Sequence, residues 1–157
     1  MPVTTSKMRA ALLFAALISI GVTAGVACAD PEISDEAMAN KLVGHHAITL
    51  QWLGTGTLKD AGKAEVKKVD GEWHVNGRQE TAEGFVEVDG IVTSVDIDGF
   101  DFRGKIVTQV TYINGGKACT REGDFTFLKK GKRKYWRLQQ MDNPCDTAAD
   151  YVDIYLR

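Results

Sequence analysis

After Gly44 the chain is cut at short intervals by tight-turn signals, and that spacing restricts it to a few β folds. Asp70-Gly71, Asp98-Gly99, Asn114-Gly115-Gly116 and Lys130-Gly131 separate segments in which apolar residues alternate with polar ones. Asp-Gly and Asn-Gly supply the positive φ angles that hairpin turns need. Strands are predicted over 46–53, 63–69, 72–78, 84–97, 100–113, 117–129, 132–141 and 150–156, and nothing beyond residue 44 keeps a helical period. Upstream, Ser34 suits an N-cap, Asp35 and Glu36 suit a first helical turn, and Gly44 suits a stop. The expected fold is all-β: an up-and-down antiparallel eight-stranded β-barrel with a short N-terminal helix, closed so that no strand edge is left open.

Register follows from the turns. A two-residue turn at Asp98-Gly99 sets Ile97 against Phe100, Val95 against Phe102 and Ile91 against Ile106 on an apolar face, with Asp96, Asp101, Arg103 and Lys105 on the other. The parity slips at Asp89-Gly90, where a bulge is expected. Thr108, Val110 and Tyr112 continue the inner face and align with Cys119, Arg121, Gly123, Phe125 and Phe127. A turn at Lys130-Gly131 then sets Phe125 against Trp136, Gly123 against Leu138, Arg121 against Gln140 and Cys119 against Asp142. Cys145 lies three residues on, so a Cys119–Cys145 disulfide closes the open end of that hairpin.

The first 29 residues read as an export signal. Lys7 and Arg9 precede an apolar run from Ala10 to Ile20, and Ala27-Cys28-Ala29 offers small residues for cleavage after Ala29. The run is shorter than the roughly 20 residues that span a bilayer, so a membrane anchor is the weaker alternative. Lipidation of Cys28 is another. The mature chain is then one domain, 30–157, periplasmic or secreted, with no transmembrane segment. Removing 1–29 takes Lys7 and Arg9 from the 19 basic residues and none of the 21 acids, leaving 17 against 21. Such a balance does not suit a nucleic-acid partner. It also leaves two cysteines, an even number in an oxidising compartment.

The candidate chemistry is a ligand site on the inner face. Arg121 and Gln140 would orient a polar or anionic head, with Thr108 beside them and Trp136, Tyr112 and Phe125 as walls. A plainer reading has Arg121 at the barrel rim, bonded to Gln140 or to a loop carboxylate such as Asp142. His45 and His46 are neighbours on a strand and face opposite ways, so no metal site is assigned, and His74 is the third histidine. Trp52, Trp73 and Trp136 read as core. Lys129-Lys130-Gly131-Lys132-Arg133-Lys134 reads as a solvated basic tip, or as a contact for an anionic membrane or cell-wall polymer. No catalytic residue or cofactor is assigned, because no carboxylate pair or nucleophile has a recognisable context.

A short helix, Leu50-Gln51-Trp52-Leu53-Gly54 opening a run of hairpins, and Trp136-Arg137 in a late strand resemble the lipocalin-like, calycin-type class of exported barrels. That resemblance implies a small apolar ligand held in the barrel. The chain is also similar in size, export and disulfide to small periplasmic barrel inhibitors of hydrolases such as lysozyme or proteases. That likeness implies a protein partner met through an exposed loop, for which 142–149 is the candidate.

Overall fold

The computed structural model describes residues 30–156. The expected signal segment, its cleavage point and Cys28 lie outside the described residues. The chain runs β1 (Glu32–Ile33), α1 (Glu36–Leu42), β2 (Gly44–Leu50), β3 (Gly62–Val69), β4 (Glu72–Thr81), β5 (Gly84–Val95), β6 (Gly99–Val110), β7 (Cys119–Leu128), β8 (Tyr135–Leu138) and β9 (Val152–Tyr155). Strands β2 to β9 pair antiparallel in sequence order, and β9 returns to β2. This is the closed eight-stranded up-and-down barrel expected from the turn spacing, and it fits a lipocalin-like barrel.

β1 adds a short parallel strand. β4 leaves β5 after His74↔Ile91, and β1 covers the freed edge at Ser94 and Val95. Ser34 is thereby held by β5, its N–H and hydroxyl donating to the Val95 carbonyl at 2.9 and 3.2 Å. The N-cap passes to Asp35, whose carboxylate accepts from Met38 N at 2.6 Å. α1 buries Met38, Ala39 and Leu42 across one barrel end.

Three registers differ from the expectation. Val95, not Ile97, opposes Phe100. The turn is a four-residue one in which the Asp96 side chain accepts from Asp98 N and Gly99 N, leaving Ile97 exposed at its tip. The bulge falls between Val92 and Ser94 rather than at Gly90, so Val92 faces inward and Ile91 is only half-buried. Across the basic tip, Phe127 opposes Leu138 and Leu128 opposes Arg137, so Trp136, Leu138, Gln140 and Asp142 are not ladder partners of the residues expected, although the Arg121 side chain still reaches the Gln140 carbonyl. Five cations between 129 and 134 repel one another in a tight turn, and the tip opens into a longer loop. This displacement is even, so Arg121 and Trp136 keep the predicted inward face.

Gly90 instead makes a close strand crossing. A Cβ there would stand 2.4 Å from the Arg103 carbonyl oxygen and 2.8 Å from Gly104 Cα, and one on Gly104 would stand 2.2 Å from the Asp89 carbonyl oxygen. Gly90, Gly104 and Gly123 are paired in a row across β5, β6 and β7, where a barrel turns a corner. Gly104→Ala is expected to cost about 1–3 kcal/mol by overpacking, read as a lower urea midpoint. An unchanged midpoint would mean that the strands separate freely there.

The interior is packed. Phe100, Phe102, Phe127, Trp136, Leu138, Ile106 and Ile154 are buried within a single cluster. Phe100 stacks on Phe127 at 5.2 Å and meets Trp136 edge-on at 5.7 Å. Leu53 plugs the end opposite α1, and Gln79 pins the 51–61 loop there by accepting from Leu50 N and donating to the Asp60 carbonyl.

Candidate functional site: the seam beside β7 and the surface it presents

β8 is short, and its ladder with β7 stops at Phe127↔Leu138. Beyond it, Gln139 N donates to the Thr126 carbonyl at 2.8 Å, and Thr126 N donates to the Gln140 side chain at 3.0 Å. Farther along, the seam between β7 and segment 139–149 is closed by side chains. Arg121 Nη1 donates to the carbonyls of Gln140 (2.7 Å) and Asp142 (3.4 Å). Its Nη2 meets Asp150 Oδ2 at 3.3 Å, and the same oxygen accepts from Thr108 Oγ1 and Asn143 Nδ2, each at 3.1 Å. The Cys119–Cys145 disulfide completes the closure, with Cα atoms 5.8 Å apart.

Burial sets the electrostatics of this cluster. It pushes the Asp150 carboxyl above its ordinary value, opposed by Arg121 and by the Thr108 and Asn143 hydrogen bonds. Burial likewise lowers the Arg121 guanidinium, against the attraction of Asp150. Arg121 Nε and Trp136 Nε1 are the two buried side-chain polar atoms without a partner among the described residues.

The predicted ligand residues therefore separate. Arg121 and Thr108 share the Asp150 cluster, while Trp136 and Phe125 belong to the packed core. Gln140 is exposed and enters through its carbonyl and its bond to β7. Tyr112 lies beyond the end of β6, is 63% exposed and donates to the Trp52 carbonyl, so it is not on the inner face. Trp52 follows the end of β2 and donates to the Ala149 carbonyl at 3.1 Å. His45 faces Glu65 outside, whereas both ring nitrogens of buried His46 lie at carbonyl oxygens, Leu42 at 2.7 Å and Tyr155 at 3.0 Å. No group of three or more metal-ligating side chains that could hold an ion occurs among the described residues, and no helix there is long and apolar enough to cross a membrane.

Asp150 was not singled out from the sequence. A lone inward aspartate at a strand start carries no motif, and only the fold shows it opposite Arg121.

What the seam presents outward is a loop tied by hydrogen bonds. The Asp142↔Ala149 bridge forms its base, Asn143 accepts from Cys145 N, and Asp146 accepts from the N–H groups of Asn114, Thr147 and Ala148. Pro144 to Thr147 remain exposed. A neighbouring cavity of about 240 Å³ is bounded by Lys130, Arg133, Arg137, Gln139, Met141 and Tyr151. A second, of about 270 Å³, touches His45, His46, Lys63 and Ala64. Neither is lined by the aromatic residues of the barrel axis.

Comparison with known proteins adds a family and no activity. No solved structure matches the chain significantly. The chain is 44% identical over 116 residues to the Pasteurella multocida (strain Pm70) protein named "Uncharacterized protein PM1083", covering 74% of each chain. The sequence model of the PM1083 family matches residues 30–156. The chain belongs to the PM1083 family.

Proposed function

We propose that residues 30–157 form a single exported domain, periplasmic or secreted, that acts by binding a protein partner with its outer surface. The partner class is a hydrolase such as a lysozyme or protease, and loop 142–149 is the contact. The packed barrel axis carries this reading: Phe100, Phe102, Phe127 and Trp136 meet inside and occupy the axis that an enclosed small molecule would take. The polar head group of a ligand would also have to displace Asp150 from Arg121. The hydrogen bonds within the loop support the reading further, since a segment ordered before binding loses little entropy on binding. Export is supported by the disulfide, which persists in oxidising compartments. The family match, which begins at Asp30, supports the domain boundary.

The test is stoichiometric inhibition. Residues 30–157 are titrated into a panel of lysozymes and secreted serine proteases, with Thr147→Arg as the blocked variant, because Thr147 is exposed. The expected result is loss of one enzyme's activity at equimolar protein, restored by Thr147→Arg. Full activity across the panel, together with saturable shifts of interior methyls such as Ile106 and Ile154 on adding an apolar small molecule, would return the function to the barrel interior.

A further inference from the structure

The outer face of β8 and β9 differs from the rest of the barrel surface. Elsewhere basic side chains sit among acids: Arg78 pairs with Glu87 and Arg103 with Asp124 across strands, Arg78 with Glu80 and Lys67 with Glu65 along one strand, and Lys105 lies between Asp89 and Glu122 in the ladder. From Lys129 to Met141 there are four lysines and two arginines and no carboxylate. Only Arg137 of these finds an acid among the described residues, in a two-point contact with Asp153 at 2.7 and 2.8 Å. Lys130 and Arg133 form no ion pair among the described residues.

The middle of this face is aromatic and preorganised. The Arg137 guanidinium lies 4.5 Å from the Tyr151 ring centre and 5.2 Å from that of Tyr135, and Tyr135 packs on Tyr155 at 5.3 Å. Arg133 approaches the Tyr135 ring at 5.7 Å. Tyrosine, arginine and methionine are among the residues enriched at protein interfaces, where buried anchors are surrounded by a polar, solvent-accessible rim. The groove therefore has an arginine–tyrosine–methionine centre and a cationic rim at Lys130 and Arg133. It is also continuous with the proposed contact loop, because Met141 and Tyr151 flank the two ends of that loop's base.

We infer that this groove seats an acidic segment of the protein partner, with carboxylates on Lys130 and Arg133 and an apolar or aromatic side chain on Tyr151 and Met141. The inference rests on the protein-partner reading above and names the chemistry of the surface that partner must offer. An anionic membrane fits less well. The basic tip is tied to the acidic β5–β6 turn, Lys129 N donating to the Asp98 carbonyl at 2.7 Å beside Asp96, and the groove is concave where a bilayer is flat.

The experiment follows backbone amides of ¹⁵N-labelled residues 30–157 while two probes are added separately: an acetylated hexaglutamate peptide, and vesicles of phosphatidylglycerol. The expected result is saturable shifts at Lys130, Arg133, Arg137 and Tyr151 with the peptide, weakened about tenfold in Lys130→Gln/Arg133→Gln and diminished by added salt. Both substituted side chains are at the surface, and an unchanged urea midpoint confirms the fold. Absence of peptide shifts, or shifts indifferent to the double substitution, overturns the inference. Binding to vesicles without binding to the peptide also overturns it, in favour of a lipid surface. If the groove ignores the peptide in a chain that still inhibits an enzyme, this inference alone fails. A small molecule found in the barrel interior overturns the reading beneath it.

Discussion

Arg121→Met and Asp150→Leu are each expected to lower the unfolding free energy by about 3–5 kcal/mol, and the two together to recover most of that loss. The reason lies in what each single change leaves behind. Without Asp150, a buried guanidinium keeps only the carbonyls of Gln140 and Asp142. Without Arg121, a buried carboxylate keeps only Thr108 and Asn143. Removing both replaces two costly desolvations with apolar contact, which is often neutral in a protein interior. The raised Asp150 carboxyl points the same way, because it shows burial outweighing attraction. It also fixes a pH dependence. The folded state holds this proton more firmly than the unfolded state, so one proton-linked component of stability is complete below the ordinary aspartate value and is lost as pH rises through the raised folded value, while the pairing with Arg121 remains above it. Urea midpoints measured across that range should fall for the parent chain by a component absent from Asp150→Asn. Equal losses that simply add in the double variant would show that Arg121 and Asp150 do not act as a pair.

Replacing Cys119 and Cys145 with serine is expected to cost about 3.5 kcal/mol, the chain entropy of closing a loop between cysteines 26 residues apart. The loss should be local before it is global. The disulfide and the Arg121 cluster together stand in for the ladder that β8 does not continue, so the seam beside β7 should open first. Hydrogen exchange should quicken at the sheltered amides of 139–150 well before those of β5 and β6. Uniform quickening across all strands would mean that the disulfide acts only through the unfolded chain.

The sequence made the barrel legible because its turns and its alternation agree. All eight predicted strands form, and Phe100, Phe102, Phe125 and Phe127 sit on the predicted inner face. Errors arose where a side chain reshaped a turn. The Asp96 carboxylate built a longer β5–β6 turn, and charge repulsion widened the 129–134 tip. Neither effect has a period to read. The inward Arg121 was legible from parity alone, but its partner Asp150 was not, because it reaches across from another strand's approach. Tyr112 was misplaced because β6 ends two residues before it. The outer groove was visible in part, as a run of lysines and arginines. Its tyrosines come from both β8 and the β9 side, and only closure of the barrel brings them together.

Mass spectrometry of residues 30–157 purified from a bacterial host, under native and then denaturing conditions, separates a filled barrel from a hollow one most directly. A filled barrel that acts from its outer surface gives one native mass, that of the polypeptide less the two protons of the Cys119–Cys145 bond. A heavier native species that disappears on denaturation would place a small molecule inside the barrel and contradict action from the outer surface.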